Sequence, residues 1–479
     1  MTSAQAVPAD WTPDVVAGVA ARICPHEQIQ SILDAGRDAD AETVRDVLHR
    51  AMAMEGLTPE DVGVLIQVGN GSLREEVLAT ARRVHEQTFN RRVALSTPIC
   101  PTNRCINDCL YCPLRRSDVR LRRTSSTIRD LQREITGLLR EGHRHFNLVF
   151  SEDRSGAHHI HDMLVAAYGT RSGVEEACRV DLNVNPMQPV DFRLLTQEGY
   201  LGTYHCYQET YHRETYERLH VDGPKADYHW RITGHDRAIQ GGVKELGLGV
   251  LLGAYDFRYD VVALIAHCAY LKRECGYGAV SITLPRMVPA KEAPASQDTT
   301  RQVDDEDLKL IVAVCRLARP HVAIVMCTPA ERETRRDLYA LGISEVSVGS
   351  LSYPGAYTAD GDPEAAGRLT IGRPRALEVL IYRLCDAGFV PYIGSADSLK
   401  RYRVTLPRRP GEELTTPERR SANSLLALRE YLMDYASPDT ARLGEAIIQR
   451  ELVRLPADLR DMTLKLMEEA EAGLRGQMF

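Results

Sequence analysis

Residues 100–116 read Cys-Pro-Thr-Asn-Arg-Cys-Ile-Asn-Asp-Cys-Leu-Tyr-Cys-Pro-Leu-Arg-Arg, directly after a strand-like run over Arg92–Ile99. Cys105, Cys109 and Cys112 stand in the spacing Cys-x3-Cys-x2-Cys. Thiolates this close suit three corners of a cubane iron–sulfur cluster better than disulfides, and they leave the fourth iron without a protein ligand. Such an iron can chelate a small molecule through an amine and a carboxylate. Tyr111, just before the last of these cysteines, puts an aromatic ring where it could pack on a bound adenine. The rival reading is a structural zinc site with Cys100 as fourth thiolate, since zinc favours four. Zinc knuckles usually come as two separated Cys-x2-4-Cys pairs rather than one compact run. The interleaved Asn103, Arg104, Asn107 and Asp108 speak against ordinary buried cysteines.

Outward from this loop, short apolar runs alternate with helical patterns. The strand-like runs are Arg92–Ile99, His145–Ser151, Arg179–Asn185, Gly202–Tyr207, Leu246–Leu252, Ala279–Leu284, His321–Met326 and Glu345–Val348. Helical periodicity separates them, for example over Ile128–Glu141, Tyr259–Glu274 and Asp305–Leu317. This alternation predicts a parallel (β/α)8 barrel, with an open six-stranded barrel as the alternative. Catalytic residues of such barrels gather at the C-terminal ends of the strands, where the cysteine loop follows strand one.

Residues 1–90 read as a helical lead-in, with Ala41–Met54 and Leu73–Phe89 amphipathic and Thr58-Pro-Glu-Asp as a helix start. The barrel is assigned to 91–350, and 351–479 to a mostly helical C-terminal extension. In that extension Leu377–Asp386 reads as a helix and Leu406–Glu418 as a loop. Residues 419–475 read as helices broken near Ser437-Pro438 and Pro456. The net charge of −7 gives no nucleic-acid footprint. No apolar run is long enough for a membrane span, and the first residues lack the pattern of a signal peptide. Twelve mostly scattered cysteines suit a reducing cytoplasm. The arginine clusters Arg115–Arg116 and Arg120–Arg123 either handle an anion or solvate a loop, the second being the simpler reading.

The cysteine triad with its preceding aromatic resembles the signature of the radical S-adenosylmethionine superfamily. Further stretches narrow the resemblance: Tyr207-Gln208-Glu209-Thr210-Tyr211-His212, His220-Val-Asp-Gly-Pro-Lys225, Asp236-Arg237-Ala238, Gly247-Leu-Gly249 and Ser281-Ile-Thr-Leu-Pro285-Arg286. In this order they are similar to the aromatic amino acid lyase branch. That branch includes the hydrogenase-maturing tyrosine lyase, 2-iminoacetate synthase and tryptophan lyase. The resemblance implies a full (β/α)8 barrel, one 4Fe–4S cluster on Cys105, Cys109 and Cys112, and bound S-adenosylmethionine. It also implies a small-molecule substrate and an electron donor such as flavodoxin or ferredoxin. Glu152 matches a superfamily position near the methionine amino group, and Asn183 and Asn185 end strand three where they could contact ribose. Arg237 could pair with a cofactor carboxylate. Gln208, Glu209, Arg286 and Ser347 are the substrate-binding candidates.

The chain also departs from the branch. Where the lyases carry Ser-Thr-Arg-Glu after strand seven, it reads Cys327-Thr328-Pro329-Ala330-Glu331, and proline cannot replace a guanidinium that holds a carboxylate. Arg332, Arg335 and Arg336 are the nearby substitutes. Pro113-Leu114 replaces the usual glycine and aromatic after the third cysteine. The last cysteine is Cys385, so the second-cluster cysteines of the hydrogenase maturase have no counterpart in Pro391-Tyr-Ile-Gly-Ser-Ala-Asp. These departures favour a radical enzyme that forms or rearranges a C–C bond in an anionic, for instance nucleotide-derived, small molecule, as in nucleoside-antibiotic biosynthesis. Arg115, Arg116, Arg286 and Arg332 would then hold the anion. The alternatives are a Cα–Cβ lyase of tyrosine, tryptophan or a relative, and a non-catalytic cluster- or zinc-stabilised assembly factor.

Overall fold

Strand β1, Arg92–Thr102, is buried almost throughout, as a parallel strand covered on both faces should be. In this computed structural model, residues 10–173, 175–298, 300–327, 331–349, 353–358, 377–393, 416–476 and 478–479 are described. Pro329 and most of the Leu406–Glu418 stretch lie outside them. The strands that follow are β2 (His145–Phe150), β3 (Arg179–Asn183), β4 (Tyr204–His205), β5 (Leu246–Gly249), β6 (Ala279–Thr283), β7 (Ala323–Met326) and β8 (Glu345–Ser347). Each pairs in parallel with the next, and β8 returns to β1 through Ala94↔Glu345, Leu95↔Val346 and Ser96↔Ser347. The barrel is therefore closed with eight strands, which rules out the open six-stranded alternative. β4 and β5 are shorter than their apolar runs, but bridges Glu209↔Val250 and Leu252↔Arg286 prolong the ladder toward the rim.

The helices follow from local chemistry. Ile128–Arg140 buries Leu131, Ile135, Leu138 and Leu139, one helical stripe, and starts at a Thr127–Asp130 capping box. Thr58 and Asp61 form the same box at the start of Pro59–Leu65, as the sequence predicts. Ser72–Phe89 and three further helices, Pro13–Ile23, His26–Arg37 and Ala41–Ala51, complete the N-terminal lead-in. The C-terminal helices are Leu377–Asp386, Pro417–Asp434, Pro438–Leu452 and Ala457–Glu471, with breaks at the prolines the sequence marks.

One strand has no counterpart among the apolar runs of the sequence. β9, Val390–Ile393, pairs in parallel with Arg92–Leu95, the first half of β1, while the second half of the same edge pairs with β2. Four residues with Pro391 among them carry little strand signal, and proline is tolerated because β9 is an edge strand.

Inside the barrel the lower lumen is polar. Asp181 accepts from His145 Nε2 at 2.7 Å and from Thr203 N at 2.7 Å, and pairs with Arg179 at 2.9 Å. His205 faces the same lumen, and a Cβ on Gly247 would collide with its ring, so that position accepts only glycine. Among the described residues no helix is long and apolar enough to cross a membrane.

Candidate active site

The chain leaving β1 is folded into a loop by two residues. Asn103 is buried; its Nδ2 donates to Arg122 O at 3.0 Å and its Oδ1 accepts from Thr124 N at 2.7 Å. Arg123 donates to the carbonyls of Asn103, Leu114 and Arg115 at 2.8, 2.7 and 2.6 Å. Within this clamp Cys105, Cys109 and Cys112 line one cavity of about 300 Å³ at the C-terminal end of the barrel. Among the described residues no three His, Cys, Asp or Glu side chains converge on a single metal ion. Three thiols around a shared cavity fit the corners of a larger iron–sulfur cluster instead. Cys100, the fourth thiolate of the zinc reading, also lines this cavity, but it belongs to β1 and gives its S–H to Thr102 O at 3.2 Å. Burial raises the bare thiol of Cys109 to about 11 and that of Cys112 to about 12, so iron binding must release their protons.

Asn107 fastens the loop to its surroundings. Its Nδ2 donates to Glu152 Oε2 at 2.8 Å and its Oδ1 accepts from Lys225 N at 2.8 Å. The second bond needs Gly223: its φ is +96°, and a Cβ there would lie 2.5 Å from Asn107 Oδ1. Ile106 N also donates to Glu152 O at 2.8 Å, which fixes the end of β2 against the loop.

Tyr111 is oriented by a relay. His220 Nδ1 lies 2.7 Å from Tyr216 O and must donate to that carbonyl, so Nε2 is left to accept from the Tyr111 hydroxyl at 2.9 Å. Burial, with Lys225 nearby, lowers His220 to about 3 and keeps it neutral. The Tyr111 ring faces the cavity with Lys225 Nζ 5.6 Å from its centroid.

Tyr207 and Glu209 also line the cavity. Glu209 has a left-handed φ of 67°, and its Oε1 accepts from Lys225 Nζ at 2.6 Å. Burial pushes the Glu209 carboxyl up, but Lys225 and Arg231 outweigh it, and the group stays below its ordinary range. Arg231 lines the cavity with its Nε on Tyr207 O at 2.9 Å. The site thus holds two carboxylates, Glu152 and Glu209, and two cations, Lys225 and Arg231.

Of the residues singled out from the sequence, Cys105, Cys109, Cys112, Tyr111, Glu152, Asn183, Asn185 and Glu209 come together around the cavity. Four others do not line it. Arg237 is fully buried elsewhere; it donates to Met187 O, Thr233 Oγ1 and Trp230 O at 2.9, 2.6 and 2.6 Å and stacks on the Trp230 ring. Arg286 pairs with Asp305 at 2.6 Å. Gln208 is buried and is not among the residues that line the cavity. Ser347 stands opposite Ser96, short of the cavity-lining Pro98. The arginines of the anion reading are engaged away from the cavity too: Arg115 with Asp108 at 2.7 Å, Arg116 with Asp222, and Arg332 with Asp386 at 3.4 Å. Sequence reading missed Asn107, Tyr207, Lys225 and Arg231 as site residues. Their only signal was membership of the quoted motifs or, for Arg231, a place six residues before Arg237.

Comparison with known proteins agrees with this site. Residues 283–390 match the Biotin and Thiamin Synthesis associated domain. Over 330 residues the chain is 30% identical to the 2-iminoacetate synthase of Escherichia coli (strain K12), covering 68% of this chain and 84% of that protein. The 2-iminoacetate synthase of Salmonella typhimurium is 28% identical over the same extent. The crystal structure of HydG, a maturase of the FeFe-hydrogenase, matches with TM-score 0.88 and 29% identity, over 96% of this chain and 100% of that one. Barrel, cysteine loop and relatives define the class as radical S-adenosylmethionine enzymes. Within it, the chain belongs to the family of 2-iminoacetate synthase and HydG.

Proposed function

We propose that this chain is a lyase that cleaves the Cα–Cβ bond of an aromatic amino acid, with a 4Fe–4S cluster on Cys105, Cys109 and Cys112 and S-adenosylmethionine beside it. A cluster and S-adenosylmethionine bound there supply reductive cleavage of the sulfonium, the source of a 5′-deoxyadenosyl radical. The observation that carries the reading is the charge inventory of the cavity. Glu209 and Lys225 hold each other at 2.6 Å, which leaves Glu152 and Arg231 to meet the ammonium and the carboxylate of an amino-acid headgroup. Glu152, fastened by Asn107, suits an ammonium group. Arg231, with its Nε engaged by Tyr207 O, has the planar fork that a carboxylate prefers. Tyr111, held by His220, presents a ring for adenine.

The relatives favour lyase chemistry. A protein named for making 2-iminoacetate yields the two-carbon imine that remains when an amino acid loses its side chain at the Cα–Cβ bond. The C–C bond-forming reading on a nucleotide-derived anion loses its support, because Arg115, Arg116, Arg286 and Arg332 are paired with carboxylates and do not line the cavity. The test is anaerobic incubation of cluster-reconstituted protein with reductant, S-adenosylmethionine and either tyrosine or tryptophan. Release of a cresol or indole fragment is the expected result. 5′-Deoxyadenosine without any fragment from either amino acid would contradict the lyase.

A further inference from the structure

Between β8 and β1 the strand ladder stops short of the cavity. Ala94 N donates to Ser344 O at 2.8 Å and Val348 N to Ser96 O at 2.7 Å, so alternate residues of β1 turn their backbone groups toward β8. Gly349 then takes a left-handed φ of +85°. The next residue of β1 on that edge is Pro98, which has no N–H to offer and lines the cavity. Its carbonyl accepts from the Tyr357 hydroxyl at 3.0 Å instead of from a strand. A Cβ on Gly349 would lie 2.9 Å from that hydroxyl, so the turn and the tyrosine fit together only with glycine there. Tyr357 belongs to the short segment 353–358. Pro354-Gly355, with Gly355 at φ +78°, is the pair a type II turn prefers, and Thr358 N closes on Gly355 O at 3.1 Å. Glu134, on the helix Ile128–Arg140, grips the segment from the other side and is wholly buried. It accepts from Tyr357 N at 3.2 Å, and the N–H groups of Gly355 and Ala356 bond to the same carboxyl. Among the described residues no cation forms an ion pair with Glu134, and its Oε2 has no partner. A buried carboxyl is kept only where hydrogen bonds compensate its lost hydration, and here those bonds come from the backbone of 355–357.

We propose that segment 353–358 is a strap that stands in for the missing β8 pairing at the rim, with Tyr357 as a positioning residue for the substrate and Glu134 as its anchor. The inference rests on the lyase reading above and deepens it. Pro98, Ile99 and Cys100 form the β1 wall of the cavity. Along this wall β1 also changes its register against β2, between Ile99 and Thr102. A strand end paired irregularly on one edge and without a strand on the other is weakly held by its own ladder. Tyr357 supplies a bond there, and Glu134 fixes the backbone that carries Tyr357. Radical cleavage of one chosen bond depends on where the substrate lies against the cofactor, and a displacement of about 1 Å can cost about a hundredfold. A loosened wall therefore leaves cofactor cleavage in place and separates it from cleavage of the amino acid.

The test compares Tyr357→Phe, Glu134→Leu and Glu134→Gln with wild type, each as the cluster-reconstituted full chain. Dithionite, S-adenosylmethionine and either tyrosine or tryptophan are supplied. The readouts are iron content, KM for the amino acid, and the ratio of 5′-deoxyadenosine to released cresol or indole fragment. Tyr357→Phe and Glu134→Leu should keep wild-type iron content, raise KM about tenfold, and make several molecules of 5′-deoxyadenosine per fragment. Glu134→Gln, whose amide oxygen still accepts from the strap, should bring the ratio back toward wild type. Wild-type KM and ratio in both Tyr357→Phe and Glu134→Leu would overturn the strap and leave the lyase reading intact. 5′-Deoxyadenosine and fragment falling in step with iron content would overturn it too, by showing damage to the fold. Wild-type protein that forms 5′-deoxyadenosine but no fragment from either amino acid would remove the lyase reading and this inference together, whatever the variants do.

Discussion

Asn107 Nδ2 donates to Glu152 Oε2 at 2.8 Å, tying the middle of the cysteine loop to the end of β2. The same side chain accepts from Lys225 N, so one amide joins three segments of the cavity wall. Asn107→Ala removes both bonds to half-buried partners, at about 1 kcal/mol each. Iron content should stay at the wild-type level while the Kd for S-adenosylmethionine rises about tenfold, read by titration. Wild-type affinity in the variant would show that the bond does not position Glu152.

Gly223 should tolerate no side chain. With φ at +96° and only 2.5 Å between the site of a new Cβ and Asn107 Oδ1, Gly223→Ala is both strained and crowded. The expected cost is about 1–3 kcal/mol of stability with loss of 5′-deoxyadenosine formation. A melting curve and an activity assay on the same preparation check it; normal activity would mean the 220–225 segment can move away freely.

Arg237 is a fold residue. Arg237→Met removes three donors from buried acceptors, which should lower stability by about 3 kcal/mol. The affinity of the folded variant for S-adenosylmethionine should not change. Weaker binding without a lower Tm would restore the cofactor role expected from the sequence.

Asp260 gives a pH signature. Its Oδ1 accepts from Thr210 Oγ1 at 2.9 Å and Tyr211 N at 2.8 Å, and burial raises its pKa from 3.8 to about 7. Between these values the folded state holds a proton that the unfolded chain has released, so this residue's contribution to stability falls as pH rises from 3.8 to about 7. Asp260→Asn abolishes that loss, of up to about 4 kcal/mol. The Tm of the variant relative to wild type should therefore climb from pH 4 to pH 7 and level off above it. A difference independent of pH would mean that Asp260 is ionised in the fold throughout.

The barrel was legible because parallel strands buried on both faces appear as continuous apolar runs, and eight such runs alternate with helical stripes. β9 was not, because four residues around Pro391 resemble a loop until β1 is there to pair with them. The same division holds at the cavity. Cys105, Cys109, Cys112 and Tyr111 share one loop, and Glu152, Asn183, Asn185 and Glu209 sit at strand ends, so linear position was enough. Lys225 and Asn107 meet across 118 residues, a contact no spacing announces. Arg231 and Arg237 differ in the same way. The two lie on consecutive short helices, Tyr228–Ile232 and Gly234–Gln240; Arg231 lines the cavity, whereas Arg237 packs on the Trp230 ring.

The most direct test of the central claim, that the three thiols of one loop make this cavity a radical site, is 5′-deoxyadenosine yield from Cys109→Ala beside wild type. Both are reconstituted anaerobically and given dithionite, S-adenosylmethionine and tyrosine. Wild type should form product and the variant none, with iron content lowered in the variant. Equal yields from the two proteins would contradict the claim.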